Sequence, residues 1–242
     1  MRYAGGKSRI AQRIAPHILR AKRETGATAY VEPFVGGGAV GAVVGNRFRE
    51  ARYSDLHEDL ILMWNHALAG GSFPERIGRM DWERLKRSEP SALRGFAGFA
   101  GSFGGAWFAA YARGRRPDGS RRNYVAEASR RIALDIAGMR ASRITTFTRC
   151  GYEDAVVNAG DVVYADPPYR DTAGYSTGAF DHDAFWRTAL GWADRGAYVL
   201  VSEYDAPDYA EPLDDWTVPI TIGQANGPRA VERLYRLRPG LR

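Results

Sequence analysis

The sequence predicts an α/β protein, with a core of alternating strands and helices interrupted near its middle by a basic insertion. Three observations carry that reading. Strand-like and helix-like segments alternate over residues 29–69, and the strands return beyond Arg143. A glycine-rich turn, Gly36-Gly37-Gly38, joins a strand pattern to a small-residue helix pattern. The apolar run Val162-Val163-Tyr164-Ala165 stops abruptly at Asp166-Pro167-Pro168-Tyr169. Alternation of this kind is the signature of helices packed on a largely parallel sheet.

Along the chain, Ser8 to Lys22 places Ile10, Ile14 and Ile18 at helical spacing and breaks at Thr25-Gly26. Ala29 to Phe34 reads as a strand, and Ala39 to Asn46 as a helix after the glycines. Ala51 to Ser54 is a second strand, ending at Asp55, with a helix over Glu58 to Ala69. The rhythm is then lost. Gly95 to Gly105 is rich in Gly and Phe, Tyr111 to Asn123 is a basic loop, and Val125, Ile132, Ile136 and Met139 form a helical stripe. Strands are expected again at Ile144 to Thr148, Asp161 to Asp166, Ala197 to Ser202, Trp216 to Ile220 and Ala230 to Leu237, with a helix over Asp183 to Asp194. Residues 1–80 and 144–242 thus form the core, and 81–143 the insertion.

Composition excludes several classes. With 242 residues, 45% hydrophobic and 26% charged, the chain suits one α/β core with an insertion, or two small domains. No apolar run approaches a membrane span, and Met1 to Lys7 lacks the apolar stretch of a signal peptide. The single cysteine, Cys150, rules out an internal disulfide and fits a reducing compartment. His17, His57, His66 and His182 are scattered, so no metal site is expected. The expected setting is a reducing, cytoplasmic one, and the expected free state is a monomer.

The net charge of +6 is concentrated. Residues 81–143 hold thirteen basic and six acidic side chains, a net of +7, so the rest of the chain sums to −1. Such a footprint suits a polyanion, although a solvated basic surface without a partner has the same composition. The residues nominated for a nucleic acid are Arg94, Arg113, Arg115, Arg116, Arg121, Arg122 and Asn123.

Two motifs carry chemistry. Proline cannot donate to a sheet ladder and fixes its own φ, so Pro167-Pro168 ends the strand and stiffens the turn beyond it. Ligands bind beyond the carboxyl ends of strands in open α/β sheets, which turns Asp166 and Tyr169 toward a ligand. A planar ring bearing an exocyclic amine suits them: the carboxylate and a peptide carbonyl accept its N–H groups while the tyrosine stacks. A Pro-rich turn after a buried strand is the plain alternative. Gly36 to Gly41 fits the G-x-G-x-x-G pattern, and Asp55 lies at the next strand end, where an acid can hold ribose hydroxyls. This pattern admits a dinucleotide, another adenosine-containing cofactor, or merely a tight turn. A nicotinamide dehydrogenase would need an acid/base group, and neither His57 nor His182 sits in a recognisable motif.

Tyr3-Ala4-Gly5-Gly6-Lys7, then Val31-Glu32-Pro33-Phe34-Val35-Gly36-x-Gly38, then Asp161 to Tyr169 together resemble the Dam-like class (D12 class, alpha group) of N6-adenine-specific DNA methyltransferases. The resemblance touches most of residues 1–70 and 144–242. It implies a Rossmann-like sheet of seven strands using S-adenosyl-L-methionine, with 81–143 as a mostly helical target-recognition subdomain acting on double-stranded DNA. It further implies cofactor contacts from Tyr3, Ala4, Gly5, Gly6, Lys7, Glu32, Pro33, Phe34, Gly36, Gly38, Asp55 and Asp166, with Tyr152 to Asp154 flanking the adenine. Asp166, Pro167, Pro168 and Tyr169 would carry catalysis.

The target amine's lone pair is delocalised into its ring, so two acceptors, Asp166 and the Pro167 carbonyl, would favour a pyramidal nitrogen aimed at the methyl group. The base must leave the duplex to be reached, and it would stack on Tyr169. Arg170 to Phe180 reads as a lid over it. The insertion lacks a clear copy of the segment by which GATC-specific members read their site, and Ser102 to Phe108 is more similar to small phage-borne relatives. Gln224 to Arg229 resembles a loop near the substrate. An RNA adenine methyltransferase and a catalytically inactive DNA-binding relative are the alternatives.

Overall fold

The computed structural model describes residues 1–169, 180–219 and 229–240. Among them, seven strands form one sheet in the order β3-β2-β1-β4-β5-β7-β6. These are β1 (Ala29–Glu32), β2 (Glu50–Asp55), β3 (Ile144–Arg149), β4 (Val162–Ala165), β5 (Tyr198–Glu203), β6 (Ala210–Pro219) and β7 (Arg229–Leu237). The first five run parallel, and β7 lies antiparallel between β5 and β6. The chain moves outward from β1 through β2 to β3, then returns to place β4 beside β1. That reversal is a topological switch point, where a crevice opens beyond the strand ends.

Burial explains the strand sequences. Every residue of β1 and of β4 is buried, as parallel strands covered on both faces require. The helices are α1 (Ala11–Thr25), α2 (Gly41–Val44), α3 (Glu58–Leu68), α4 (Arg79–Lys86), α5 (Ala92–Ala100), α6 (Tyr124–Met139) and α7 (His182–Asp194). In α1 the buried stripe is Ile14, Ile18 and Ala21. The helix begins later than its apolar spacing predicts, because the Lys7 carbonyl accepts the N–H groups of Ile10 and Ala11 in a turn ahead of it. The predicted helix 39–46 is shorter, passing into a 3₁₀ turn at Gly45–Arg47. The predicted strand 216–220 lengthens into β6, which starts at Ala210 and carries an irregularity between Pro212 and Asp214.

The segment 81–143 holds α5 and α6 and most of α4. Ser91 caps α5 by accepting the Arg94 N–H, and the first half of the Gly-Phe run is helical. Gly95 lets that helix lie directly on the backbone carbonyl of Asp59 in α3, where any Cβ would collide. Phe96, Phe99, Ile132, Ile136 and Met139 join Ile14, Val44 and Trp64 in one buried cluster. Tyr53 ties β2 to the end of α6 by donating to the Met139 carbonyl at 3.0 Å. The basic loop beyond Tyr111 folds back on itself: bridges pair Ser102 with Tyr111 and Arg115 with Arg121, and the Arg122 N–H donates to Gly114 at 2.9 Å. The expected lid 170–180, apart from Phe180, and nearly all of 224–229 lie outside the described residues.

Candidate active site

The carboxyl ends of β1, β2 and β4 bring Phe34, Asp55 and Asp166 to one edge of the sheet. Asp166 follows β4 directly. Its Oδ1 lies 2.7 Å from the Lys7 ammonium, which is only 7% exposed. Lys7 also donates to the Gly5 carbonyl at 3.3 Å and lies 4.6 Å over the centre of the Tyr169 ring. The Tyr169 hydroxyl donates to Glu232 Oε1 at 2.9 Å, and Tyr204 meets the same ring edge-on at 4.6 Å. Lys7, Asp166 and Tyr169, taken from motifs far apart in the chain, therefore form one cluster.

Burial pushes the Asp166 carboxyl above the ordinary carboxylate range, and the Lys7 charge opposes that shift. Glu232 is raised for the same reason, again opposed by Lys7, with Asp166 adding repulsion. Asp166 thus makes Glu232 harder to ionise, and the shared ammonium offsets the burial of both. The sequence patterns do not single out Glu232. Its signal is alternation: on β7 Val231 is exposed while Glu232 and Leu234 are buried, so a carboxylate stands on the core face of the strand.

The glycine loop is closed by Asp55. Its Oδ2 accepts the Gly36 N–H at 3.0 Å and its Oδ1 accepts the His57 N–H at 3.0 Å. Gly36 has a φ of +45°, and a Cβ there would meet the Tyr3 ring, so the first motif packs on the second. Trp64 supports the loop from beneath by donating to the Gly36 carbonyl at 3.0 Å, and Gly38 is buried against Met139 and Trp64. The Ala4 N–H donates to the Gly105 carbonyl at 3.2 Å, and the Gly6 N–H to Tyr3 at 3.0 Å. Gly5 and Gly6 are exposed, and Pro33 is buried. Glu32 turns inward, accepting the Tyr30 hydroxyl at 3.0 Å and the Gly41 N–H at the start of α2. Its position supports the cradle from the core side.

Phe34 belongs to an aromatic group with Tyr152, Phe180 and Phe185 at centroid distances of 5.6, 5.9 and 5.6 Å. Tyr152 begins the 3₁₀ turn Tyr152–Asp154 and stacks on Phe34, beside the strand ends where the sequence resemblance puts a purine.

The nominated basic residues separate into two groups. Arg113, Arg115, Arg116 and Arg121 are exposed. Arg94 is held inside the α3–α5 packing, where its Nη1 donates to buried Asp59 at 2.6 Å and its Nε to the Leu85 carbonyl. Arg122 is engaged by Glu127 through Nε at 3.0 Å and Nη2 at 2.8 Å, and Arg116 lies 3.6 Å from the same carboxylate. Asn123 caps α6 by accepting the Ala126 N–H and donates to the Glu75 carbonyl. Among the described residues no cluster of potential metal ligands occurs, and no helix is long and apolar enough to cross a membrane.

A largely parallel sheet with an antiparallel β7 inserted beside β5, and a glycine cradle at its switch point, is a Rossmann-like α/β arrangement. Residues 3–91 match the model of the family described as D12 class N6 adenine-specific DNA methyltransferase. Over 66 residues the chain is 36% identical to the Type II methyltransferase M.MjaIII of Methanocaldococcus jannaschii, a match covering 26% of this chain and 23% of that protein. The chain therefore spans about a quarter of the length of that curated relative. Among solved structures, an rRNA methyltransferase from Streptomyces viridochromogenes is 16% identical, with a TM-score of 0.42 and coverage of 93% of this chain and 84% of that one. A putative methylase from Haemophilus influenzae is 11% identical, with a TM-score of 0.40 and coverage of 94% and 98%.

Proposed function

We propose that this protein transfers a methyl group from S-adenosylmethionine to the N6 amine of an adenine flipped out of duplex DNA. One observation carries the proposal: the D12-class N-terminal segment delivers Lys7 to the Asp166 carboxylate at the end of β4, with the Tyr169 ring beside them. A carboxylate, a proline-fixed backbone and an aromatic face are what an adenine amine needs.

The cradle fits the donor chemically. Asp55 uses each oxygen for a backbone N–H and retains lone pairs for ribose hydroxyls. Tyr3 to Lys7, Phe34, Gly36 and Gly38 would line its ribose and methionine portions, with Glu32 and Pro33 behind them, and the Phe34–Tyr152 pair would receive the purine. Bound there, S-adenosylmethionine supplies an electrophilic methyl on a sulfonium sulfur. Asp166 and the Pro167 carbonyl accept the amine hydrogens, which frees the nitrogen lone pair for attack. Pro168 fixes the turn that aims both acceptors. Tyr169 stacks on the extruded base, an interaction of about 1–3 kcal/mol in single-strand binders. Positioning and charge thus carry the step.

Residues 81–143 would form the recognition unit, with exposed Arg113, Arg115, Arg116 and Arg121 on DNA phosphates and the base sequence read within the same segment. The free protein would act as a monomer in the cytoplasm.

The test is direct. The protein is incubated with methyl-labelled S-adenosylmethionine and duplex DNA, or an RNA of matching sequence, and the product is digested to nucleosides. Labelled N6-methyladenine from DNA is the expected result. Label only in RNA, or none at all, overturns the proposal.

A further inference from the structure

Glu232 belongs to none of the motifs, yet it stands at the centre of the site. It is 5% exposed on β7, and its Oε1 lies 3.5 Å from the Lys7 ammonium while accepting the Tyr169 hydroxyl at 2.9 Å. The same ammonium lies 2.7 Å from Asp166 Oδ1. One cation is therefore shared by two carboxylates, a half-buried one just beyond β4 and a buried one on β7, and the Tyr169 ring is tethered to the second.

This arrangement poses a problem for the proposed reaction. An ammonium close against Asp166 withdraws the negative charge that a substrate amine must find there. Moving the ammonium away into a buried space with no counter-charge would be costly. Glu232 removes the conflict. Resting on the amine-methylation reading, we infer that Glu232 is a positioning residue, the second seat of the Lys7 ammonium. Lys7 leans from Asp166 onto Glu232 when the adenine amine arrives, and the Tyr169 hydroxyl keeps the ring in place through the same oxygen. Asp166 then meets the amine without the ammonium against it, keeping only its hydrogen bond with Tyr169, and the cation always keeps a counter-charge. Glu232 reaches the reacting atoms only through Lys7 and Tyr169.

Glu232→Gln keeps the volume and an acceptor for the Tyr169 hydroxyl but removes the charge. Single-turnover methyl transfer should fall at least about tenfold, while dissociation constants for duplex DNA and S-adenosylmethionine stay within about threefold. Glu232→Asp, which restores a carboxylate at shorter reach, should recover part of the rate. A Glu232→Gln rate within about twofold of wild type overturns the inference. A second readout needs no activity: denaturant midpoints of Lys7→Met, Glu232→Gln and the double variant. The combined shift should differ from the sum of the single shifts, because the two groups interact. Additive shifts overturn the shared seat. A wild-type protein that moves no methyl group to DNA removes the proposed function, whereas the double-mutant comparison still decides whether Lys7 and Glu232 act as a pair.

Discussion

The acceptor role proposed for Asp166 requires its anion, and its surroundings determine when it is one. Burial raises its pKa, with Lys7 and a hydrogen bond from Tyr169 opposing, and the other groups facing it are the Glu232 and Glu32 carboxyls and the hydroxyls of Tyr164 and Tyr204. Activity that needs the ionised form is full above the raised pKa and is lost as pH falls through it. The acid limb of the rate should therefore lie above the ordinary carboxylate range, and a pH–rate profile of single-turnover transfer measures it. A limb at or below that range would show that Asp166 is not the acceptor. Asp166→Ala should cost on the order of 10²–10³-fold in transfer, as loss of an aligned polar partner does, while DNA binding by fluorescence anisotropy persists. Tyr169→Ala should lower activity more on duplex than its loss of thermal stability accounts for. Tyr169→Phe keeps the stacking face but drops the bond to Glu232, so partial activity is expected.

At the scale of elements, legibility depended on whether a segment's surroundings were local. The strands β1 and β4 and the helix α3 were readable because uninterrupted apolar runs and a 3.6-residue stripe register burial directly. Gly36, Asp55 and Asp166 stood out as parts of short local motifs, and Lys7 through the resemblance of its segment to a known family. The helix α5 was not readable, since glycines at 95 and 98 lower helix propensity and its reason to be helical is the close approach to α3. Arg94 looked like a free cation because its partner, Asp59, is 35 residues away and buried. Glu232 was hidden for the same reason, as its partners arrive from the N-terminal segment and from beyond β4. One substitution separates propensity from packing. Gly95→Ala would gain about 1 kcal/mol of helix propensity on an isolated helix. Here it should instead destabilise by about 1–3 kcal/mol, because the methyl meets the Asp59 carbonyl. Urea unfolding distinguishes the two signs.

Across the whole molecule, the charge asymmetry becomes a physical surface. The sequence places a net +7 in residues 81–143; Asp59, from outside the segment, offsets part of it, and Glu127, already counted in that sum, engages Arg122. The loop bearing Arg113, Arg115 and Arg121 faces solvent. Replacing these three with Ala should weaken DNA binding and flatten the plot of log affinity against log salt, by roughly 0.9 for each phosphate no longer neutralised. An unchanged slope would move the DNA surface elsewhere. The hydrogen bond from Ala4 to Gly105 has a consequence for anyone who would retarget the protein by transplanting a relative's segment. Exchanging all of 81–143 would sever that bond, the Arg94–Asp59 pair and the Tyr53–Met139 link at once. The stretch between Arg113 and Arg122 closes on itself through the Gly114–Arg122 bond and touches none of the three. It is the natural cassette, a loop whose ties to the scaffold are the ion pairs of Arg116 and Arg122 with Glu127, so these two arginines are the ones a swap would keep.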